Sequence, residues 1–240
     1  MNNKRTTSIV VVTHIPNMMR LKMMRDSIES LLTTTQYHPV EIIVVDNGGG
    51  FAVPEYFLNS ITKINTYIRN NENMHFGFAR NQGIASSIGN YIVIADNDIH
   101  YNKGWLQALW KPLEIYPHKK IYTTPIEYPT GVMKEKYDQG KLDVDGIEYN
   151  LNMRAGSNCF MIRRKDLFKI GLFKAHRIAG SKWTDEAVNK GYLACVAPGK
   201  LAYDLGLRAG YNHGLAVPIK RTLTNEEKVY LNEDEFEIPN

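Results

Sequence analysis

The chain has 240 residues and a mass of 27.4 kDa, is 43% hydrophobic and 22% charged, and has a mean hydropathy of −0.34. At this length folding buries roughly 70–75% of the unfolded surface, so neither a disulfide framework nor a structural metal is needed to hold it together. The net charge of +4 is spread over scattered Lys and Arg residues; it suits an anionic ligand or membrane surface and does not mark a nucleic-acid binder.

The N-terminus MNNKRTTSIVVVTH starts basic, but its apolar run is too short for a signal h-region or a membrane span. No transmembrane segment is expected, and a cytoplasmic location is, with peripheral contact to a membrane left open. SIVVV (8–12) is the first predicted strand, and its unbroken β-branched apolarity says that both faces are covered. A helix follows over 18–32, with Met18, Leu21, Met24, Ile28 and Leu31/Leu32 on one stripe. EIIVV (41–45) is the second strand and closes in Asp46-Asn47-Gly48-Gly49-Gly50, a turn that Gly and Asn form easily. TKINTYI supplies a third strand, ARNQGIASSI a helix and YIVIA (91–95) a fourth strand. The pattern then loosens. WLQALWKPLEIY is a helix interrupted at Pro112, KIYTTPIEYP begins as a strand, and residues 125–155 read as a hairpin-rich insertion. Strand SNCFMIR, helix KDLFKIG, a short helix TDEAVNKGY and strand LACVA complete the globule, followed by an acidic tail. Cys159 and Cys195 sit in apolar contexts without metal-ligand spacing, which predicts buried reduced thiols.

Strands alternating with helices predict an α/β sandwich around a largely parallel sheet, whose ligands bind at the carboxyl ends of the strands. Two of those ends are acidic. The fourth strand finishes in Asp96-Asn97-Asp98, where residues two apart point the same way roughly 7 Å from each other, so both carboxylates can face one hard divalent cation, Mg²⁺ or Mn²⁺. The competing reading is a polar turn. Asp46 ends another buried strand, and its competing reading is a cap of the turn that follows.

Together the segments SIVVVTH, EIIVVDNGG, FGFARNQGI and IADND, in residues 7 to 215, resemble a family 2 glycosyltransferase with the GT-A-type, Rossmann-like fold. The resemblance implies transfer of a sugar from a nucleotide-diphosphate donor (UDP, GDP or dTDP type) to a glycan or other hydroxyl acceptor, with inversion and with Mn²⁺ or Mg²⁺ as cofactor. It also implies one domain over 1–222, with a nucleotide-binding half (1–104) and an acceptor half (105–222), and an acidic tail at 223–240. Thr13 and Asp46 would hold the base, with His14, Asn81 and Asn97 beside the nucleotide. Gly77 would give backbone access, and Arg80 would pair with base or phosphate. Asp96 would be the ribose-side acid and Asp98 the direct metal ligand, with Asp204 or His213 as a further ligand. Gly156 and Ser157 would face the donor sugar. An inverting transferase also needs a general base, which the resemblance places at Asp185 or Glu186. These acids stand closer to Gly191-Tyr192 than the family pattern has them. Trp183 beside them either stacks on the acceptor or belongs to the core.

Rival classes leave other marks. A sugar nucleotidylyltransferase wants a glycine-rich basic loop after the first strand, where this chain has Thr13-His14-Ile15-Pro16. A dinucleotide oxidoreductase needs G-x-G-x-x-G there. A non-catalytic nucleotide- or glycan-binding module would keep the strand-end residues and lose the base.

Overall fold

The computed structural model describes residues 6–35, 39–48, 52–126, 137–174, 179–205, 211–212 and 217–218. The expected His213 and the acidic tail lie outside the described residues. In chain order the elements are β1 (Thr7–Thr13), α1 (Met18–Thr34), β2 (Val40–Asn47), α2 (Ala52–Ser60), β3 (Thr66–Asn70), α3 (Phe76–Ser86), β4 (Tyr91–Asp96), β5 (Ile99–Tyr101) and α4 (Trp105–Ile115). There follow β6 (Ile121–Thr124), β7 (Asp138–Val144), β8 (Ile147–Asn152), β9 (Cys159–Arg163), α5 (Arg164–Ile170), α6 (Ala179–Asn189), β10 (Leu193–Val196), β11 (Ala202–Asp204), β12 (Tyr211–Asn212) and β13 (Val217–Pro218).

Nine strands form one sheet in the order β3-β2-β1-β4-β9-β6-β10-β8-β7. The block β3-β2-β1-β4 is parallel, β9 is antiparallel between β4 and β6, and β6 and β10 are parallel to each other. Successive residues of β1 serve opposite cores, as the period of two requires. Ile9 and Val11 join Met24, Ile28, Phe57 and Trp105 on one face, while Val10 and Val12 join Ile84, Phe160, Leu167 and Trp183 on the other. Cys159 and Cys195 are free buried thiols as expected, and burial pushes Cys195 up to about 12.

Several expected elements differ. Helix α2 was not foreseen, and the third strand starts at Thr66 because Ile61–Lys63 form a 3-10 turn. Helix α4 runs through Pro112 without interruption. Proline deprives the carbonyl four residues back of its donor, and here the Tyr149 hydroxyl replaces it, donating to the Ala108 carbonyl at 3.0 Å. The expected hairpin is present as β7–β8, and it extends the main sheet by pairing β8 with β10. Among the described residues helix α6 covers Ala179–Asn189, so Thr184 lies inside it, its hydroxyl donating to the Ser181 carbonyl.

Candidate functional site

The carboxyl ends of β1, β2 and β4 lie level with one another, Thr13 opposite Asp46 and Val12 opposite Asp96. Parallel pairing therefore gathers the polar ends of three apolar strands at one edge. The turn after β4 is fixed from two sides. Ser27 and Ser30 of α1 accept from the Ile99 and Tyr101 amides at 3.3 and 3.1 Å, and β11 pairs with β5 so that Asp204 stands opposite Ile99. The Leu205 amide closes the corner on the Asp98 carbonyl at 2.7 Å. Asp96, Asp98 and Asp204 are thus carried to one corner by three different strand ends.

Two arginines answer this negative charge. Arg20, in the first turn of α1, places Nη1 2.6 Å from Asp98 Oδ2, and that carboxylate side chain is only 5% exposed. Arg80 on α3 is 1% exposed, donates from Nη2 to Asp96 Oδ1 and to the Ser157 carbonyl at 2.8 Å each, and lies against the rings of Phe76 and Phe173. Its Nε and Nη1 are buried without a hydrogen-bond partner, and burial lowers its affinity for the proton while Asp96 opposes that. Burial pushes the Asp96 carboxyl up to about 6; Arg80 pulls it down, and Asp98 and Asp204 push it up further.

At the end of β2, Asp46 is fully buried and accepts from the Tyr67 hydroxyl at 2.9 Å, with Arg69 Nε at 3.8 Å. The Asn97 amide donates to Thr13 Oγ1 at 3.1 Å, and His14 Nδ1 donates to the Asn47 carbonyl at 3.2 Å. Asn47 is itself held by Asn70 and the Met74 amide. His75, which precedes α3, has a positive φ of 64°, a costly conformation for a non-glycine residue.

Other candidates prove to be occupied by packing. Gly77 abuts the Lys174 carbonyl, which a Cβ there would approach to 2.6 Å, so close contact requires glycine at this position. The Asn81 amide pairs in both directions with the Phe173 backbone, at 2.8 and 3.0 Å. Trp183 belongs to the core: it is 3% exposed, stacks on Phe160 at 4.6 Å and donates to the Gly171 carbonyl, which corrects the acceptor-stacking reading. Gly156 and Ser157 lie half-buried in the loop before β9, where Ser157 meets Arg80 and packs against Gly180 of α6.

The expected bases lie apart from the strand-end corner. The first turn of α6, which reaches Ser157 and Arg80, contains no acid. Asp185 stands about 7–8 Å further along the helix axis, half-exposed and paired with Arg154. Glu186 pairs with Lys174 at 2.8 Å, and that hydrogen bond holds its carboxyl below the usual range. Arg20, Tyr67, Arg69 and Asn158, which donates to Asp204 at 3.2 Å, were not anticipated. The register of β3 against β2, which sets Arg69 opposite Asp46, and the place of Arg20 one turn into the helix after β1 are the signals that carry them.

A divalent cation fits this corner by donor chemistry. Three carboxylates, hard oxygen donors, converge there, and Asp98 and Asp204 raise the proton affinity of Asp96. Among the described residues, however, no group of three or more His, Cys, Asp and Glu side chains is already gathered at metal-binding distance, and Asp98 and Asp96 are paired with Arg20 and Arg80. No helix among the described residues is long and apolar enough to cross a membrane.

A sequence profile described as Glycosyl transferase family 2 matches residues 8–171. The chain is 24% identical over 161 residues to a Drosophila melanogaster protein named putative polypeptide N-acetylgalactosaminyltransferase 13, which covers 60% of this chain and 28% of that one. Among solved structures it resembles GalNAc-T7 with UDP, GalNAc and Mn²⁺ (TM-score 0.63, 14% identity, 97% of this chain and 55% of that one). It also resembles S. aureus TarS 1–349 in complex with UDP-GlcNAc (TM-score 0.59, 18% identity, 82% of this chain and 57% of that one). The chain thus spans just over a quarter of the curated relative and little more than half of the solved chains.

Proposed function

The chain belongs to glycosyl transferase family 2 and has the GT-A architecture, and from this premise we propose that it transfers a sugar from a nucleotide-diphosphate donor, with inversion, to an acceptor hydroxyl. The observation that carries the proposal is the convergence of Asp46, Thr13 and the Asp96–Asp98 turn at one strand edge, faced by Arg20 and Arg80. Both structural neighbours named above contain a uridine nucleotide, which supports a UDP-type donor. Residues 1–104 then form the nucleotide-binding half and residues 105–222 the acceptor half.

In this reading the Asp46 carboxylate, steadied by Tyr67, accepts a hydrogen bond from the base, while Thr13, Asn97 and His14 shape the same end. Arg80 acts as a positioning residue, fixing the Asp96 carboxylate and the Ser157 backbone toward the ribose and the donor sugar. Arg20 faces the departing diphosphate, where a guanidinium pairs well with phosphate oxygens. A Mn²⁺ or Mg²⁺ ion, held by Asp98 with Asp96 and Asp204, would neutralise charge on the leaving group. Asp185 is taken as the general base ahead of Glu186; each is ion-paired, with Arg154 and with Lys174 respectively.

A nucleotide-binding module without turnover is the second reading, favoured by the acid-free first turn of α6 and by the ion pair on Asp98. A thermal-shift screen of nucleotide diphosphates and their sugars with and without Mn²⁺, followed by a donor-hydrolysis assay, tests both. Stabilisation by UDP-sugars with metal-dependent hydrolysis supports the transferase. Stabilisation without hydrolysis in any metal supports the module, and no stabilisation by any nucleotide defeats both.

A further inference from the structure

The stretch 163–190, which carries α5 and α6, concentrates the excess charge of the chain. Residues 163–190 hold eight basic and three acidic residues, so the remainder, with 21 basic and 22 acidic, is nearly balanced, and this stretch supplies the net +4. Part of its charge is spent internally. Arg163 and Asp166 form a buried pair at 3.0 Å, and Lys174 is paired with Glu186. Lys165, Lys169 and Lys182 remain on the surface, Lys169 also reaching Asp166 at 3.6 Å.

Apolar side chains stand among these lysines. Arg164 donates to Ser87 Oγ and the Gly89 carbonyl, both at 2.6 Å, which sets the 79% exposed Ile88 beside the start of α5. Lys165, Phe168 and Lys169 follow at the i, i+3, i+4 spacing of one helix face, with Phe168 54% exposed. Leu172 comes next, 44% exposed, at the rim of a hollow of about 280 Å³ shared with Lys174, Lys182 and Lys190. The Lys190 ammonium donates to the Lys169 and Ile170 carbonyls at 2.8 and 3.0 Å, joining both helices into one surface.

We infer that this face is an interfacial docking surface for an anionic phospholipid bilayer. Ile88, Phe168 and Leu172 enter the headgroup region, and Lys165, Lys169 and Lys182 meet lipid phosphates. Charge complementarity decides for this occupant: single apolar tips separated by flexible ammonium groups match a fluid anionic interface, where lysine stems lie along the apolar zone and their charges stay in the headgroups. The hollow is too small to seat a partner helix, and the tips are too dispersed to make the dry centre of a protein interface. Arg164 and Lys190 spend their donors locally to hold this surface in shape. The inference does not depend on which donor the strand-end site takes.

Sedimentation of the full chain with phosphatidylcholine vesicles, with and without added phosphatidylglycerol, tests it. Binding to the anionic vesicles should exceed binding to the neutral ones by about tenfold and fall with added salt. Lys165→Glu combined with Lys169→Glu should abolish that preference, and Phe168→Ser should weaken binding severalfold with every lysine in place, both at unchanged melting temperature. If the double reversal fails to fold, Lys182→Glu reads the same charge dependence. Equal partition to the two vesicle types overturns the inference, as does wild-type binding by all the variants. Capture by soluble polyglutamate that Phe168→Ser leaves intact also overturns it, in favour of an acidic protein partner.

Discussion

Arg20 Nη1 lies 2.6 Å from Asp98 Oδ2, so a guanidinium from the helix after the first strand already neutralises the acid proposed to hold the metal. A cation that binds Asp98 must displace that partner. Arg20→Met is therefore expected to raise the affinity for Mn²⁺ in the absence of nucleotide by about tenfold, equivalent to about 1.4 kcal/mol, measured by calorimetry. Asp98→Ala should remove the enhancement of nucleotide binding by metal. Unchanged Mn²⁺ affinity in the first variant, or a retained enhancement in the second, would place the metal elsewhere.

Asp46→Asn keeps the shape of a fully buried side chain and removes its charge. A hydrogen bond to a charged group contributes about 1.5–3 kcal/mol, so affinity for the free nucleotide should fall roughly ten- to a hundredfold with the metal response intact. Equal affinity of variant and parent would show that Asp46 serves only Tyr67 and Arg69.

A general base contributes about 10²–10⁴-fold to turnover and little to donor binding. Asp185→Asn should lower kcat by that order with nucleotide affinity preserved, whereas Glu186→Gln, which loses only the exposed contact to Lys174, should cost less than about threefold. The reverse ranking would move the role to Glu186. Near-normal turnover in both variants, assayed with the true acceptor, would mean that neither acid is the base.

Asp96 carries a pH signature. Its folded-state carboxyl is pushed up from 3.8 to about 6, first by burial, so the folded chain holds this proton more tightly than the unfolded chain does. The resulting stabilisation is complete below pH 3.8 and is lost as pH rises through about 6. The ligand-free protein should therefore lose on the order of 1–2 kcal/mol from this group across that window, a few degrees in Tm. Asp96→Asn should flatten the profile, and added Mn²⁺ should oppose the loss. A slope unchanged in the variant would exclude Asp96 as its source.

Tyr149→Phe should destabilise by about 1–2 kcal/mol, because it leaves the Ala108 carbonyl without the donor that Pro112 cannot supply. Chemical denaturation measures this directly. An unaltered midpoint would mean that water substitutes for the hydroxyl.

Much of the sheet is legible in the sequence because the strands SIVVV, EIIVV and YIVIA are covered on both faces and read as continuous apolar runs. The acids at the ends of the last two were equally visible, since charge rarely follows such a run without a partner. The partners themselves were not, because contacts such as Arg20 with Asp98 span 78 residues and depend on how α1 lies over the sheet. Periodicity failed at Pro112, where a tertiary hydroxyl repairs the helix, and at α6, which includes Gly180 packed closely on Ser157 well before Thr184. Trp183 beside two acids looked chemical, yet its ring and its N–H are both taken by the core.

Because β9 seals the flank of β4, the first 104 residues cannot finish their own sheet as they leave the ribosome. The ladder from Tyr91 to Ala95 gains its second neighbour only when Cys159–Arg163 has been made, and the Asp96 amide waits for the Asn158 carbonyl, 2.7 Å away in the finished fold. At synthesis rates of roughly 5–20 residues per second, an apolar strand edge stays open for several seconds, a template for pairing with other chains. Chaperone capture of nascent chains should accordingly peak between the emergence of β4 and that of β9.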